Sequence, residues 1–210
     1  MTTPAFFRNE IRRRDLAWDD WPAVEAFLRD QAVCRVAVFD EAYPYVVAQS
    51  YRFDGEAFLI HFSRSGRLAR LVTANPNVTI EIDQTISLLK APNAMNTSLE
   101  YRSVIARCRA QTTLLDLEVE AQQYRALEKY RPEADFEPID RERGTRRIMA
   151  VRAVVVELSA KKRVLADGQY SVVGYDPGYV RYPFPPPVAL SSLPPEAFAP
   201  REFPKPKTLT

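Results

Sequence analysis

The sequence predicts a mainly β protein with short helices, built as a small antiparallel barrel of the Greek-key type. Three observations support this prediction: six segments rich in β-branched and aromatic residues, an Asp54-Gly55 pair typical of a tight hairpin, and two short helical patterns between strands. A small barrel is nearly filled by its own side chains. We therefore expect a cofactor to lie in a groove on its outside, most easily where two copies meet.

Local patterns predict each element in chain order. Asp19 or Asp20 is expected to cap a first helix that has Pro22 in its first turn. A second, short helix is expected to end at Asn75-Pro76, because proline cannot continue a helix. The predicted strands cover 33–39, 43–53, 57–62, 78–83, 99–113 and 147–158, the later helices cover 66–74 and 117–130, and 84–97 is predicted to be a loop.

The chain divides into three parts by composition. Residues 1–14 form a charged N-terminal arm, residues 15–163 the barrel domain, and residues 164–210 a C-terminal extension rich in proline. Proline excludes the extension from central strands and helix interiors. The favoured prediction is an irregular tail. Two alternatives remain open: an extended arm that packs on the domain or on a partner subunit, and a proline-rich ligand for a domain with an aromatic groove. The prolines concerned are Pro183, Pro185, Pro186, Pro187, Pro194 and Pro195.

Composition excludes several classes of protein. The chain has 210 residues, 46% of them hydrophobic, and a formal net charge of +2, which favours a soluble domain without a nucleic-acid partner. No apolar run is long enough to span a membrane, and the N-terminus does not resemble a signal peptide. Cys34 and Cys108 are predicted to be reduced thiols of a cytoplasmic protein. With a single histidine, the sequence offers no zinc ligand set.

The most informative chemical pattern surrounds His61, the single histidine. An apolar strand delivers His61, and Ser63, Ser65 and Gly66 then lead into the start of a helix that carries Arg67. A strand end that passes through small polar residues into a helix N-terminus offers hydroxyls, free backbone N–H groups and guanidinium donors in one place. These groups suit a dianionic phosphate.

An ordered set of motifs resembles a known family. The chain is similar, from about residue 12 to residue 163, to the FMN-binding split barrels related to pyridoxamine 5′-phosphate oxidase, and within them to the branch that contains the Nim nitroimidazole-resistance proteins. The motifs are Cys34-Arg35-Val36-Ala37-Val38, Tyr43-Pro44-Tyr45-Val46-Val47, His61 with Ser65-Gly66-Arg67-Leu68, Asn75-Pro76, and Tyr101-Arg102-Ser103-Val104.

The resemblance implies a homodimer that holds FMN at the subunit interface. It implies an active-site role for His61, which together with Ile60 would lie near the ribityl chain and the flavin ring. It also implies phosphate contacts for Ser65, Arg67 and Leu68, and a position near the phosphate and the dimer seam for Arg102 and Ser103. The residues that would run beside the isoalloxazine ring are Val46, Val47, Ala48, Gln49 and Ser50.

The sequence also departs from the family pattern. Leu68 stands where many relatives have a lysine, so that Arg64 or Arg70 would have to supply the second cation, and Cys108 stands where many have a small residue. The arginine and histidine that bind substrate near the C-terminus of true pyridoxamine-phosphate oxidases have no counterpart. This difference argues against pyridoxamine phosphate as the substrate.

Two classes of function follow from the resemblance. The first is an FMN-dependent oxidoreductase, in which NAD(P)H binds transiently as the donor and a small electrophile such as a nitro-aromatic or a quinone is reduced. The second is a non-catalytic flavin- or haem-binding module, a sensor or carrier, in which His61 could be a haem ligand. An interaction protein built around the proline-rich extension is a third, weaker alternative.

Overall fold

The structure is a computed structural model that describes residues 2–113, 116–130, 145–166 and 178–184. Its strands form one antiparallel sheet with the order β2-β1-β5-β6-β7-β4-β3, and β8 pairs with β5. Strands β2 and β4, from opposite parts of this order, contact each other, so that the sheet curves into the predicted barrel. The strands are β1 (Val33–Asp40), β2 (Tyr43–Ser50), β3 (Arg52–Phe53), β4 (Ala57–Ser63), β5 (Asn77–Lys90), β6 (Ser98–Thr113), β7 (Ile148–Arg163) and β8 (Val180–Pro183).

In the described residues, three α-helices accompany the sheet, and the first begins as predicted. The Asp20 carboxylate accepts a hydrogen bond from the Ala23 N–H at 3.2 Å, and Pro22 occupies the first turn. The helices are α1 (Trp21–Asp30), α2 (Arg67–Ala74) and α3 (Asp116–Tyr130), with 3₁₀ turns at Arg14–Leu16, Ala94–Asn96 and Thr145–Arg147. The predicted end of the last helix at Arg131-Pro132 lies outside the described residues.

The barrel interior is filled by alternate residues of the strands and by the apolar faces of α1 and α2. Cys34 and Cys108 lie within this core as free thiols. Burial raises the pKa of each to about 12. Neither thiol is therefore a nucleophile near neutral pH.

The second predicted strand is interrupted at Tyr51. The Tyr51 hydroxyl donates to the Leu28 carbonyl at 2.7 Å, and its backbone N–H donates to the Tyr130 hydroxyl at 2.8 Å. Tyr130 donates in turn to the Ala32 carbonyl at 2.6 Å. Because α3 takes these backbone groups, the strand ends at Ser50 and resumes as β3.

The prediction of a loop over 84–97 is wrong for its first half, where β5 continues to Lys90. Leu88 faces Leu99 of β6 on one side and Tyr182 of β8 on the other. Strands paired on both sides satisfy their backbone groups without a strong local β pattern. The last strand also runs further than predicted, to Arg163.

The C-terminal extension contributes the strand β8, whose last residue is Pro183. The prolines beyond it, from Pro185 onward, lie outside the described residues. β8 is joined to the barrel through Glu100, whose side chain is 2% exposed. Its carboxylate accepts hydrogen bonds from the Ser87 hydroxyl at 2.5 Å and the Leu165 N–H at 2.7 Å, and the Arg181 guanidinium lies 2.9 Å from it.

We predict that Arg181→Met destabilises the protein by about 3 kcal/mol, because it leaves the Glu100 carboxylate buried without its cation. This loss lies at the low end of the range for a broken buried ion pair, since the Arg181 side chain is 36% exposed. Denaturant unfolding followed by circular dichroism measures the change. Arg14→Met is the matched control: Arg14 and Asp19 are 60% and 58% exposed, and loss of an exposed pair costs at most about 1 kcal/mol. Equal stability of the two variants would show that Glu100 does not depend on Arg181.

Candidate functional site

β4 places His61 on the outer face of the barrel. Phe58, Ile60 and Phe62 belong to the core, so that the side chain of His61 points to the opposite side of the strand. His61 lies opposite Ala150 of β7, and α3 packs against these two strands. The imidazole is half-buried, and burial lowers its pKa from 6.5. His61 is therefore neutral at pH 7, with one nitrogen able to donate and one able to accept or to bind a metal ion.

The turn after β4 leads into a helix N-terminus without a side-chain cap. Gly66 is the N-cap of α2 and no side chain bonds to the first turn. Within the described chain, the backbone N–H groups of Arg67, Leu68 and Ala69 have no partner, and the hydroxyls of Ser63 and Ser65 lie 3.2 Å apart beside them. The free N–H groups and the positive end of the helix dipole suit an anion.

Two arginines of α2 meet one carboxylate at the end of β1. Arg67 forms an ion pair with Asp40, and the Arg70 guanidinium lies 3.7 Å from the same carboxylate. The Arg67 guanidinium also lies over the Tyr45 ring, 4.8 Å from its centre. Asp40, Tyr45 and Arg67 line a pocket of about 330 Å³ at the β1–β2 turn. The cations that the sequence analysis expected near the phosphate are thus present on the first turns of α2.

Three neighbouring residues are oriented differently. The Arg64 guanidinium donates to the Ile148 carbonyl at 3.2 and 3.3 Å, so that this arginine is already engaged. The side chains of Ile60 and Leu68 lie in the core, 2% and 6% exposed. The side chains of Ile60 and Leu68 are therefore not available to a ligand. Of Arg64 and Arg70, it is Arg70 that shares the Asp40 carboxylate with Arg67.

β2 is an edge strand, with β1 as its strand partner in the described part of the sheet. The side chains of Val46, Ala48 and Ser50 are exposed, and those of Val47 and Gln49 are half-buried. An edge strand presents N–H and C=O groups that no neighbouring strand uses. This segment can therefore bond the polar edge of a flat ligand through its backbone.

Arg102 and Ser103 lie at the other end of the barrel. Arg102 pairs with Lys162, whereas Thr113, at the far end of β6, pairs with Ala150, the residue of β7 that also pairs with His61. At roughly 3.3 Å per residue of strand, Arg102 and Thr113 are about 36 Å apart. Arg102 donates to the Gln84 side chain at 3.3 Å. One chain does not bring Arg102 and Ser103 to the α2 N-terminus.

An apolar groove that the sequence analysis missed crosses the outer face of β1, β5, β6 and β7. Its volume is about 400 Å³. Phe39 and Val156 border it with exposed fractions of 69% and 61%, unusual for large apolar side chains in strands. A signal was present in the sequence, since Phe39 occupies an outward position of the alternating strand β1. The groove is lined by Ala37, Val38, Phe39, Pro44, Asn77, Val78, Thr79, Arg107, Cys108 and Val156.

Metal-binding clusters and membrane-spanning helices are both absent from the described residues. No three His, Cys, Asp or Glu side chains in the described ranges form a group that could hold a metal ion. No helix in the same ranges has the length and apolar character needed to cross a membrane.

Comparisons with known proteins identify the fold and the family. The structure is similar to the flavocytochrome Anf3 of Azotobacter vinelandii (TM-score 0.71, 20% identity, 95% of this chain and 90% of that chain covered). It is also similar to the FAD and haem binding protein of Mycobacterium smegmatis (0.65, 15%, 88% and 91%). A third similar structure is a proposed 5-nitroimidazole antibiotic resistance protein of Bacteroides thetaiotaomicron (0.61, 18%, 70% and 86%).

The sequence comparisons show the family to which the chain belongs. No curated protein sequence matches the chain significantly. The family model described as pyridoxamine 5′-phosphate oxidase matches residues 20–162, more than half of the 210 residues. The predicted split-barrel fold is confirmed, and the chain belongs to the pyridoxamine 5′-phosphate oxidase family.

Proposed function

We propose that this protein is a flavin-dependent oxidoreductase that binds FMN and passes electrons from NAD(P)H to a small electrophile. The observation that carries the proposal is the uncapped N-terminus of α2, with Arg67 and Arg70 on its first turns and His61 on the strand that precedes it. Free N–H groups and two guanidinium groups beside a neutral imidazole suit a phosphate-bearing cofactor whose ring lies nearby.

The residues at the turn fit the FMN phosphate. A Cβ added at Gly66 would lie 3.2 Å from the Ser63 carbonyl oxygen, a contact so close that its neighbour would have to move by a few tenths of an ångström. The dianion would accept hydrogen bonds from the free N–H groups of α2, from the hydroxyls of Ser63 and Ser65, and from Arg67. When bound, FMN supplies the redox chemistry, and the protein sets its position and its solvent access.

Two further groups would orient the flavin ring. The exposed edge of β2 over Val46–Ser50 offers backbone donors and acceptors for the polar edge of the ring. His61 would donate one hydrogen bond to the ring or to the substrate as a neutral imidazole, and it would hold or release a proton there during turnover. The similarity to the proposed 5-nitroimidazole resistance protein of Bacteroides thetaiotaomicron supports a nitro-aromatic acceptor as the substrate class.

We infer that the working unit is a homodimer with FMN at the interface between subunits. The apolar groove beside Phe39 and Val156 supports this arrangement, because exposed apolar surface of this kind is typical of a protein interface. The location of Arg102 and Ser103 supports it as well. A second chain could bring that end of β6 to the phosphate, which a single chain does not.

The dimer is tested by light scattering on the purified protein. We expect a mass of about twice the 24.0 kDa chain and a shift toward the monomer in Val156→Asp, because a carboxylate in the groove would be desolvated on association. Met95→Asp is the control, since Met95 is 89% exposed and lies outside the groove. A monomeric wild-type protein would contradict the proposal.

The visible spectrum of the purified protein tests the cofactor. We expect the two-band spectrum of a flavin, FMN as the chromophore that heat releases, and bleaching by NADH or NADPH under anaerobic conditions with recovery when a nitro-aromatic is added. Retained flavin without bleaching would support a carrier rather than an enzyme. A protein that stays colourless after incubation with FMN and with FAD would contradict flavin binding.

A haem-binding function is the second candidate. His61 favours it, because a half-buried neutral imidazole with a free nitrogen is able to ligate iron. Two of the similar structures are described as a flavocytochrome and as an FAD and haem binding protein. A Soret band that His61→Gln abolishes would favour haem over FMN alone.

We also predict that His61 makes stability depend on pH. The pKa of His61 is lowered below 6.5 in the folded protein, so that below pH 6.5 the unfolded chain binds a proton that the folded chain does not. Stability attributable to His61 is complete above pH 6.5 and falls as the pH drops from there toward the folded pKa. The melting temperature of the wild type should therefore fall more steeply than that of His61→Gln between about pH 6.5 and 5. Parallel curves would show that folding does not lower the pKa of His61.

A further inference from the structure

Asp40 is a buried carboxylate that touches the two arginines of α2. Its side chain is 5% exposed, whereas those of Arg67 and Arg70 are 58% and 67% exposed. Oδ2 pairs with Arg67 and Oδ1 lies 3.7 Å from Arg70, so that each arginine has its own carboxylate oxygen. The contact of Oδ2 with Arg67 is an ion pair without the alignment of a hydrogen bond.

We propose that Asp40 is a positioning residue, which holds the guanidinium groups of Arg67 and Arg70 in place to receive the phosphate of the flavin. This inference rests on the proposed function, and it names a residue that acts on the phosphate through the two arginines. Asp40 does not itself touch the ligand.

The exposed fractions of the three side chains support a positioning role for Asp40. The carboxylate lies behind the arginines, and the arginines lie between it and solvent. Both contacts use Nη2, which leaves Nε and Nη1 of each guanidinium with donors for a second anion. A phosphate that approaches from solvent therefore meets guanidinium groups before it meets the carboxylate.

The like charges of Arg67 and Arg70 give a second reason to assign a positioning role to Asp40. Arg67 and Arg70 are three residues apart on α2 and share one face of the helix, where like charges repel. The helix N-terminus is itself the positive end of the dipole, which adds to the repulsion. A single carboxylate between them offsets part of this repulsion and allows both cations to stay at one place. Without it, we expect the two flexible side chains to separate into solvent.

The Tyr45 ring gives Arg67 a second support. The guanidinium lies 4.8 Å from the ring centre, within the usual range for a cation–π contact. Arg67 is thus held from two sides, by Asp40 and by Tyr45, while Arg70 has only the carboxylate among the contacts that the structure describes. A donor held in place before binding loses less side-chain entropy when the phosphate arrives.

If Asp40 competed with the phosphate instead of positioning the arginines, its removal would change the FMN affinity in the opposite direction. If Asp40 simply competed with the phosphate for Arg67, its removal would free the arginine and strengthen FMN binding. Simple Coulomb repulsion between carboxylate and phosphate also predicts stronger binding once the carboxylate is removed. Positioning alone predicts that binding weakens.

The experiment measures the affinity of the apoprotein for FMN and for riboflavin, which lacks the phosphate, by quenching of flavin fluorescence. In Asp40→Asn we expect the FMN affinity to fall by about tenfold to a hundredfold, the range for loss of one charge-assisted hydrogen bond, and the riboflavin affinity to stay unchanged. Glu10→Gln is the matched control. It removes the same charge from an exposed residue that lies outside the Asp40 pocket and forms no ion pair within the described chain.

A double-mutant cycle shows whether Asp40 acts through Arg67. In an Arg67→Gln background, Asp40→Asn should reduce FMN affinity much less than in the wild type, because the group that it positions is gone. A purely structural role would lower FMN and riboflavin affinity together and in both backgrounds. The cycle also covers the case of partial misfolding, which the circular dichroism spectrum of each variant reports.

The outcomes separate this proposal from the proposed function. If the wild type binds FMN and Asp40→Asn binds it equally well or more tightly, the positioning role is wrong and the function stands. Equal losses for FMN and riboflavin would also overturn it. If the wild type binds neither flavin, the proposed function fails and the positioning role fails with it.

Discussion

The pairing of β6 between β5 and β7 is the constraint on which the rest of the structure depends. The sixteen residues of Ser98–Thr113 lie in one strand. β5 pairs with residues 98–109 and β7 with residues 101–113, each with one irregularity in the register. The inner face of the strand supplies Val104, Ala106, Cys108 and Ala110 to the core. A strand paired on both sides cannot shift register without moving its apolar side chains out of the core. The two ends of β6 are therefore fixed far apart: Thr113 at one end pairs with the same β7 residue as His61, and the other end carries Arg102.

This separation gives the barrel two chemically different ends. At one end, α2 fills the barrel with its apolar face and presents its uncapped N-terminus and its arginines outward. At the other end, Glu100 is neutralised by Arg181 and joins β8 to the sheet. The first end has donors without partners, which is the condition for binding an anion. The second has a buried carboxylate with every oxygen satisfied, which stabilises the fold and offers little to a ligand.

Much of the fold was predictable because its signals are local. The Asp54-Gly55 hairpin, the Asp20 cap and the alternation of β1 each depend on neighbouring residues, and the structure contains all three. The extension of β5 and the strand β8 were not predictable in this way. They depend on Leu88 pairing with Tyr182 and on Glu100 meeting Arg181, contacts between residues far apart in the chain. No local pattern records such a pairing.

The candidate site shows the same division. The run from His61 to Arg67 was identified because strand end, turn and helix start are contiguous, and the structure brings these residues together. Asp40 was missed, although its sequence position held a signal: β1 alternates Cys34, Val36 and Val38 inward, and Asp40 takes the next inward place. A carboxylate at an inward position requires a cation. The sequence could have predicted that requirement, but only the packing of α2 on β1 shows that the cations are the two arginines of the proposed phosphate site.

The packing of α3 against β4 and β7 depends on how the helix is attached at its C-terminal end. Lys129 donates to the Gln31 carbonyl at 2.5 Å, and its ammonium group lies 3.7 Å from the centre of the Tyr51 ring. Burial lowers the pKa of Lys129 to about 8, so that the group is still mostly protonated at pH 7 and keeps both contacts. Tyr130 adds hydrogen bonds to the backbone at Tyr51 and Ala32. Since these bonds tie the helix to the segment between α1 and β1 and to the end of β2, α3 cannot move off β4 unless they break. The packing of α3 on β4, the strand that carries His61, is therefore maintained by residues at the C-terminal end of the helix.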